Sequence, residues 1–178
     1  MRVAILTVSD SVSRGTRADT SGDAIVAWAG RHSAPVAARA AVPDETPEIV
    51  RTLITWCDGD TADLVLTTGG TGLAERDVTP EATRAVMERE APGISELLRA
   101  SSVATIPLAA LSRGVSGTRA RTLIINLPGS PGGVRDGLAV LDRIIDHAIS
   151  ILRGETTSHD TPSGRQAAQS PAIGAGRP

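Results

Sequence analysis

The 178-residue chain has a formal net charge of -2, and all 18 of its Lys and Arg side chains are arginines. Because lysine is absent, a Walker P-loop, Schiff-base chemistry and a lysine nucleophile are excluded, and the length fits one domain. Aromatic residues make up only 1% of the chain, so with few stacking platforms and no excess of positive charge we expect no nucleic-acid partner.

The first element in the chain is a strand over Val3 to Val8, apolar throughout and expected to be buried on both faces. A polar stretch with Ser9 and Asp10 follows, and then a helix over Asp23 to Arg31, capped near Ser21. Small hydroxyl and carboxylate side chains after a parallel strand either bind a ligand or form turns. The residues alone favour turn formers.

A second strand is predicted over Ala34 to Val42, followed by Asp44 and a helix over Pro47 to Trp56 with Thr46 as its N-cap. Asp44 is either an ordinary loop acid or a catalytic one. It follows the carboxyl end of a strand, which is where ligands bind in open α/β sheets.

The stretch from Asp63 to Thr83 organises the rest of the chain. An apolar run of strand length leads into Thr67-Thr68-Gly69-Gly70-Thr71-Gly72, whose glycines allow a sharp turn and a close approach to a ligand. After Asp77, the run Thr79-Pro80-Glu81 predicts a helix start with Thr79 as N-cap. A strand, a glycine-rich loop and a helix N-terminus together can hold phosphate oxygens on backbone N–H groups.

The next elements are less regular. Helices are predicted over Glu81 to Glu90 and Ile94 to Ser102, while Thr105 to Val115 fits either a helical turn or an edge strand. That stretch contains Leu111-Ser112-Arg113, which on its residue types alone is a surface Ser-Arg pair.

The last strand is predicted over Arg121 to Leu127, and it leads into a Pro-Gly loop that spans Asn126 to Gly133. One long amphipathic helix over Val134 to Leu152 completes a domain of residues 1–154. Residues 155–178 are rich in Gly, Pro, Ser and Thr, so we predict a disordered tail and expect its deletion to leave folding and activity unchanged.

The alternation of strands and helices predicts an α/β fold, a three-layer α/β/α sandwich with a mostly parallel sheet. Four loops then gather at the carboxyl edge of the sheet and provide backbone N–H groups and carboxylates. They provide no histidine, cysteine or lysine, which argues against covalent catalysis. Backbone N–H groups and carboxylates without a strong nucleophile or base suit displacement at phosphorus by a nucleophile that is already anionic.

The sequence shows no run of transmembrane length and no signal-peptide pattern, and its one cysteine and three scattered histidines give no disulfide or metal-ligand spacing. We therefore expect a cytoplasmic protein with no membrane partner.

Several motifs together resemble the molybdopterin-binding family of the MogA and MoaB proteins and the gephyrin G domain. The Gly69–Gly72 loop with Asp77 and Thr79-Pro80-Glu81 carries the resemblance, which covers Arg2 to about Gly154. Other matches lie elsewhere in the chain: Ser9-Asp10, Asp19-Thr20-Ser21-Gly22, Val42-Pro43-Asp44, Leu111-Ser112-Arg113 and Asn126-Leu127-Pro128-Gly129.

The resemblance implies an enzyme that transfers AMP from ATP to the terminal phosphate of molybdopterin and releases pyrophosphate. It implies Mg²⁺ held or oriented by Asp44 and Asp77, which would also be the catalytic residues. The implied substrate and nucleotide contacts are Ser9, Asp10, Gly69, Gly70, Thr71, Gly72, Ser112, Asn126, Pro128 and Gly129. Thr71 would add a hydroxyl to the phosphate cradle, Ser112 would place the pterin, and Pro128 and Gly129 would line the nucleotide side.

The resemblance also implies a homotrimer and a downstream molybdenum-insertion enzyme as a partner. The main alternative is a molybdopterin-binding or scaffold protein that does not adenylate, although Asp44, Asp77 and Ser112 favour the enzyme. A dinucleotide-binding dehydrogenase is disfavoured, because Glu75 replaces the third glycine of a GxGxxG fingerprint.

Overall fold

A computed structural model describes residues 1–155, so the predicted tail lies outside the described residues except for Glu155. The strands are β1 (Val3–Val8), β2 (Val36–Val42), β3 (Leu64–Thr68), β4 (Arg89–Glu90), β5 (Ser116–Arg119) and β6 (Thr122–Leu127). The helices are α1 (Asp10–Ser13), α2 (Thr20–Arg31), α3 (Thr46–Asp58), α4 (Thr79–Val86), α5 (Pro92–Val103), α6 (Pro131–Leu141) and α7 (Ile145–Arg153), with a 3₁₀ helix at Pro107–Leu111.

The six strands form one sheet in the order β2-β1-β3-β6-β5-β4. The first four strands are parallel, and the short strands β5 and β4 are antiparallel to their neighbours. The central strands β1, β3 and β6 are buried along their whole length, as expected for strands covered on both faces. The predicted mostly parallel α/β sheet is confirmed.

Helices cover both faces of the sheet, which gives the predicted three layers. Alternate residues of β1 point to opposite faces: Ile5 packs into a core formed with α2, α5, α6 and α7, and Leu6 into one formed with α3 and α4. Leu, Ile and Val supply most of both cores, and Trp28 is the largest fully buried side chain. Full burial of one such aliphatic side chain contributes about 1.5–3 kcal/mol of transfer free energy.

The N-terminus is tied to the C-terminal helix beneath the sheet, at the edge opposite the carboxyl ends of the strands. Asp63 is 6% exposed, and its carboxylate accepts hydrogen bonds from the backbone and side chain of Arg2 and from Arg153. Arg2 also pairs with the exposed Asp60. These ion pairs connect the starts of β1 and β3 to the end of α7.

The prediction of a single helix over Val134 to Leu152 is wrong, because the helix is interrupted between α6 and α7. Asp142 follows α6, and its Oδ1 accepts a 2.6 Å hydrogen bond from the buried indole N–H of Trp28. A buried indole needs an acceptor, and this contact with α2 coincides with the break. The apolar spacing continues across the break, so the sequence pattern gives no sign of it.

Near the edge of the sheet, one open alternative is decided and one prediction needs correction. The stretch Thr105 to Val115 contains a 3₁₀ helix, which is the helical alternative, whereas the helix predicted to reach Glu90 ends at Val86. The residues beyond it form β4, which pairs with β5, a strand that the sequence analysis missed because SGTR lacks apolar alternation.

The predicted helix starts are displaced. Asp19, and not Ser21, caps α2 by accepting from the backbone N–H of Gly22. Thr46 lies inside α3, whose N-cap is Glu45, and the polar stretch at Asp10 forms the one-turn helix α1. None of the described helices is long and apolar enough to cross a membrane.

Candidate functional site

The carboxyl ends of β1, β2, β3 and β6 meet at one edge of the sheet, as parallel pairing requires. The segments that follow these strands therefore come together there, although they are far apart in sequence. They begin at Ser9 after β1, Pro43 after β2, Gly69 after β3 and Pro128 after β6. The predicted gathering of the four loops is confirmed, and this edge is the candidate site.

The loop after β3 can be formed only with glycines at its first two positions. Gly69 and Gly70 have φ angles of +98° and +61°, and a Cβ atom on Gly69 would lie 2.2 Å from the carbonyl oxygen of Val8. A Cβ atom on Gly70 would lie 2.4 Å from Oγ1 of Thr79. Both contacts are far below van der Waals distance, so the loop packs its backbone directly against β1 and α4.

Thr79 shapes this loop and does not cap α4 as predicted. Its hydroxyl donates to the carbonyl of Gly69 at 2.9 Å, and its backbone N–H donates to the carbonyl of Gly70 at 3.1 Å. The N-cap of α4 is Val78, which makes no side-chain capping bond. Thr79 is fully buried, so these two hydrogen bonds join the start of α4 to the glycine loop within the protein interior.

Asp77 closes the other end of the loop. Its Oδ2 accepts a 2.8 Å hydrogen bond from the backbone N–H of Ala74, which folds the segment into a compact turn. The same carboxylate lies beside Gly72, where an added Cβ atom would come within 2.7 Å of Oδ2. Asp77 therefore faces the last glycine of the loop from the start of α4.

Asp44 is held by a reciprocal pair of hydrogen bonds with Asp10. Oδ2 of Asp44 accepts from the backbone N–H of Asp10 at 2.8 Å, and Oδ1 of Asp10 accepts from the backbone N–H of Asp44 at 3.3 Å. The other oxygen of Asp10 accepts from Arg76 at 2.9 Å, whereas Oδ1 of Asp44 faces Gly70. The carboxylate of Asp10 is therefore occupied by protein groups.

The loop after β6 contacts the glycine loop through its backbone. Thr68 donates its hydroxyl to the carbonyl of Pro128 at 2.6 Å, and Ser21 donates to the carbonyl of Gly129 at 2.8 Å. A Cβ atom on Gly129 would lie 3.3 Å from the Cα atom of Gly69. Ser130 then caps α6 by accepting from the backbone N–H of Gly133. Two helices, α2 and α6, thus begin at this edge.

Two cavities open at the site, which we name after their acidic residues. The Asp77 cavity has a volume of about 400 Å³, and the Asp44 cavity has a volume of about 650 Å³. The Asp77 cavity is lined by Thr71, Gly72, Ser112, Asn126 and Pro128, together with apolar side chains that include Leu98, Ile106 and Leu108. The Asp44 cavity is lined by polar residues that include Ser9, Arg17, Asp19 and Ser21, and by Thr68 and Gly69.

The two cavities share three residues, Gly70, Gly129 and Ser130, which we call the shared wall. Gly70 and Gly129 contribute only backbone, and the hydroxyl of Ser130 is turned toward its helix cap. Asp44 and Asp77 therefore lie on opposite sides of one backbone partition. Every predicted site residue except Asp10 lines one of the two cavities, while Asp10 supports Asp44 from outside them.

Asn126 was predicted as a ligand contact, but its polar atoms are engaged inside the protein. Its amide nitrogen donates to the hydroxyls of Thr67 and Thr83, and its Oδ1 accepts from the backbone N–H of Val115. It is 4% exposed and lies in β6, not in the loop that follows. These contacts assign it the role of joining β3, α4 and the Val115 segment beneath the Asp77 cavity.

The carboxylates at this edge fit a magnesium ion that is also held by substrate phosphates. Among residues 1–155, no group of three or more His, Cys, Asp or Glu side chains could hold a metal alone. Magnesium, however, is usually bound through one or two carboxylates, waters and phosphate oxygens. Asp44, with one oxygen directed at the glycine loop, and Asp77 each provide such a carboxylate.

Asp19 is a site residue that the sequence analysis did not single out by itself, although it begins the Asp-x-Ser-Gly motif. Burial raises the pKa of its carboxyl group. Hydrogen bonds from Arg39, from the backbone of Gly22 and from Thr7 outweigh that effect and hold the pKa below its ordinary value. The ionised side chain fixes the N-terminus of α2 against the Asp44 cavity.

Comparison with known proteins gives a consistent result. A probable molybdopterin binding domain matches residues 4–147. The chain is 40% identical over 156 residues to the molybdopterin adenylyltransferase of Helicobacter pylori strain J99, covering 86% of this chain and 89% of that protein. It is 41% identical over 140 residues to the molybdopterin adenylyltransferase of Escherichia coli K12, covering 78% of this chain and 72% of that protein.

Solved structures agree with these relatives. The fold is similar to the molybdopterin biosynthesis enzyme MoaB of Thermus thermophilus, with a TM-score of 0.81 and 52% identity over 86% of this chain and 96% of that one. It is also similar to the molybdopterin biosynthesis Mog protein of Mycobacterium ulcerans, with a TM-score of 0.79 and 37% identity over 85% of this chain and 98% of that one. The chain therefore belongs to the family of probable molybdopterin-binding domains, as its glycine loop and acidic residues predicted.

Proposed function

We propose that this protein is a molybdopterin adenylyltransferase, which transfers AMP from ATP to the terminal phosphate of molybdopterin and releases pyrophosphate. The observation that carries the proposal is the pair of cavities separated by a wall of backbone. Two reactants that meet at one phosphorus atom need two compartments with a common boundary. The names of the relatives from Helicobacter pylori and Escherichia coli support the same reaction.

Charge neutralisation and positioning are the main demands of this reaction. The attacking phosphate of molybdopterin is already anionic, so no strong base is needed to activate it. Backbone N–H groups of the Gly69–Gly72 loop and the N-terminus of α6 are suited to hold phosphate oxygens. Thr71 and Ser112 add hydroxyl groups on the side of the Asp77 cavity. Binding in two fixed compartments also removes most of the entropy cost of bringing the reactants together.

Magnesium is proposed as the required metal, with Asp44 and Asp77 holding or orienting it. When bound, it would neutralise charge on the phosphates and on the leaving pyrophosphate. Asp10 and Arg76 keep Asp44 in place, and the Ala74 amide keeps Asp77 in place. These contacts fix the Asp44 carboxylate beside Gly70 and the Asp77 carboxylate beside Gly72 before any ligand arrives.

Three wider features are also proposed from the family. We propose a homotrimer, a cytoplasmic location, and transfer of the adenylated product to a downstream molybdenum-insertion enzyme.

The deciding experiment is an assay of the purified protein with molybdopterin, ATP and Mg²⁺. We expect adenylated molybdopterin and pyrophosphate in equal amounts, and no product when the metal is chelated with EDTA. If the protein binds molybdopterin and still forms no product, the binding or scaffold function replaces the enzymatic one.

A further inference from the structure

Arg113 connects the segment that carries Ser112 to the turn that carries Asp77. Its Nε donates to the carbonyl oxygen of Gly72 at 2.7 Å, and its Nη2 donates to the carbonyl oxygen of Asp77. The same guanidinium group pairs with both carboxylate oxygens of Glu81 in the first turn of α4. One side chain therefore bonds to the start, the end and the following helix of the Gly72–Asp77 turn.

These contacts demand an arginine. The guanidinium group is planar and presents its N–H donors as a rigid fork, so three acceptors in different directions fix its position. The hydrogen bond from Arg113 holds the pKa of Glu81 below its ordinary value, so the ion pair persists at neutral pH. The backbone N–H of Arg113 also donates to the carbonyl of Thr71 at 2.9 Å, a bond that survives any substitution of the side chain.

The orientation of the Asp77 carboxylate depends on the shape of this turn. The Oδ2 atom of Asp77 is fixed by the backbone N–H of Ala74, which lies within the same turn. Arg113 holds the carbonyl groups at both ends of the turn but does not line the Asp77 cavity itself. It lines a neighbouring cavity of about 290 Å³ that shares Ser112 with the Asp77 cavity. Its contact with the Asp77 carboxylate is therefore through the turn.

We propose that Arg113 is a positioning residue for adenylyl transfer, acting through Asp77, and this inference rests on the function proposed above. Arg113 holds the ends of the Gly72–Asp77 turn so that the carboxylate keeps its position beside Gly72. A displacement of about 1 Å in a catalytic group can slow a reaction about a hundredfold. The effect of Arg113 should therefore appear in kcat far more than in binding.

The test compares Arg113→Met with Arg119→Met. Methionine keeps the length of the stem and removes every donor. Arg119 is a matched control, because it pairs with both oxygens of Asp58 and donates to the carbonyl of Val86 at the opposite end of α4. We expect Arg113→Met to lower kcat about a hundredfold with little change in KM, and Arg119→Met to leave kcat unchanged. Arg113→Lys should not restore turnover, because an ammonium group cannot bond to all three acceptors at once.

A double-mutant cycle separates positioning from simple stabilisation. If Arg113 acts through Asp77, adding Arg113→Met to Asp77→Asn should lower kcat by less than about threefold further, because the two residues act as one unit. If the two losses multiply, or if both arginine variants lower kcat equally, the proposal is wrong.

A second measurement does not depend on activity. In Arg113→Met, amide hydrogen exchange at Ala74 should be about tenfold faster or more, while exchange in β3 and β6 stays unchanged. Unchanged exchange at Ala74 would overturn the positioning role. If the unsubstituted protein makes no adenylated product, the proposed function fails, and the exchange measurement still decides whether Arg113 orders the turn.

Discussion

Asp44 and Asp77 occupy equivalent positions on opposite sides of the shared wall. Each has one carboxylate oxygen fixed by a backbone N–H group, that of Asp10 for Asp44 and that of Ala74 for Asp77. The carboxylate charge is therefore held in place by bonds that an amide oxygen could also accept. This allows the charge to be removed while the geometry is kept.

We predict that Asp44→Asn and Asp77→Asn each lower adenylation by orders of magnitude, since a metal-linked charge is worth several kcal/mol in the transition state. The melting temperature should change little, because the asparagine oxygen can keep the backbone hydrogen bond. Turnover and thermal unfolding of each variant check this, with Asp146→Asn on α7 as a control acid distant from the site. Near-normal turnover in both variants would remove these residues from the mechanism.

Asp63 provides a pH-dependent contribution to stability. Burial raises the pKa of its carboxyl group, but hydrogen bonds from Arg2 and Arg153 outweigh burial and lower the pKa from 3.8 to about 2. The folded state therefore binds its proton less readily than the unfolded state does. The resulting stability is fully present above pH 4 and is lost as the pH falls from about 4 to about 2.

We predict that Asp63→Asn lowers the free energy of unfolding at pH 7 by on the order of 2 kcal/mol and flattens its decline below pH 4. Chemical denaturation across this pH range measures both effects. Asp60→Asn is the control, because Asp60 pairs with the same arginine but is exposed, and exposed pairs contribute little. If the two variants behave alike, burial at Asp63 has no special effect.

At the scale of elements, the glycine loop is a tightly constrained connection. Gly69 combines a positive φ with a contact that leaves no space for a Cβ atom, whereas Gly15 has a φ of +69° and nothing within 4 Å of its Cβ position. The two glycines therefore separate the cost of backbone strain from the cost of a steric clash.

We predict that Gly15→Ala lowers the free energy of unfolding by about 1 kcal/mol, the cost of a left-handed conformation for alanine. Gly69→Ala should cost several times more, since the added methyl group must push the loop away from β1. Equilibrium unfolding of both variants measures the difference, and equal losses would contradict the steric explanation. Gly69→Ala should also abolish adenylation, because the shared wall moves with the loop.

The strands and loops of the candidate site were largely predictable from sequence. Strands β1, β3 and β6 are short apolar runs followed by turn residues, so parallel pairing alone brings Gly69 and Pro128 to one edge. The break at Asp142 and the engagement of Asn126 could not be predicted, because both depend on partners distant in sequence. The N-cap prediction for Thr79 was wrong for a similar reason: the preference of threonine for N-caps is local, whereas its hydroxyl bonds to Gly69.

For the whole molecule, the predicted homotrimer can be tested directly. Several large apolar side chains are exposed in the single chain: Ile106, Leu108 and Leu111 line the Asp77 cavity, and Leu73 follows Gly72 in sequence. We predict a trimer in sedimentation at micromolar concentration, and a monomer there would contradict the prediction. The same experiment at rising salt would show whether apolar contacts dominate, since these are not screened by ions.

The shared wall has a consequence for how the protein could be altered. Gly70 and Gly129 contribute only backbone where the two cavities meet, and the hydroxyl of Ser130 is held by its helix cap, so a replacement at either glycine would displace the junction. Selectivity for each reactant must then reside in the outer linings, which have few residues in common. A laboratory programme seeking a different nucleotide or a different pterin could vary one lining at a time, and the point of bond exchange would stay where the main chain puts it.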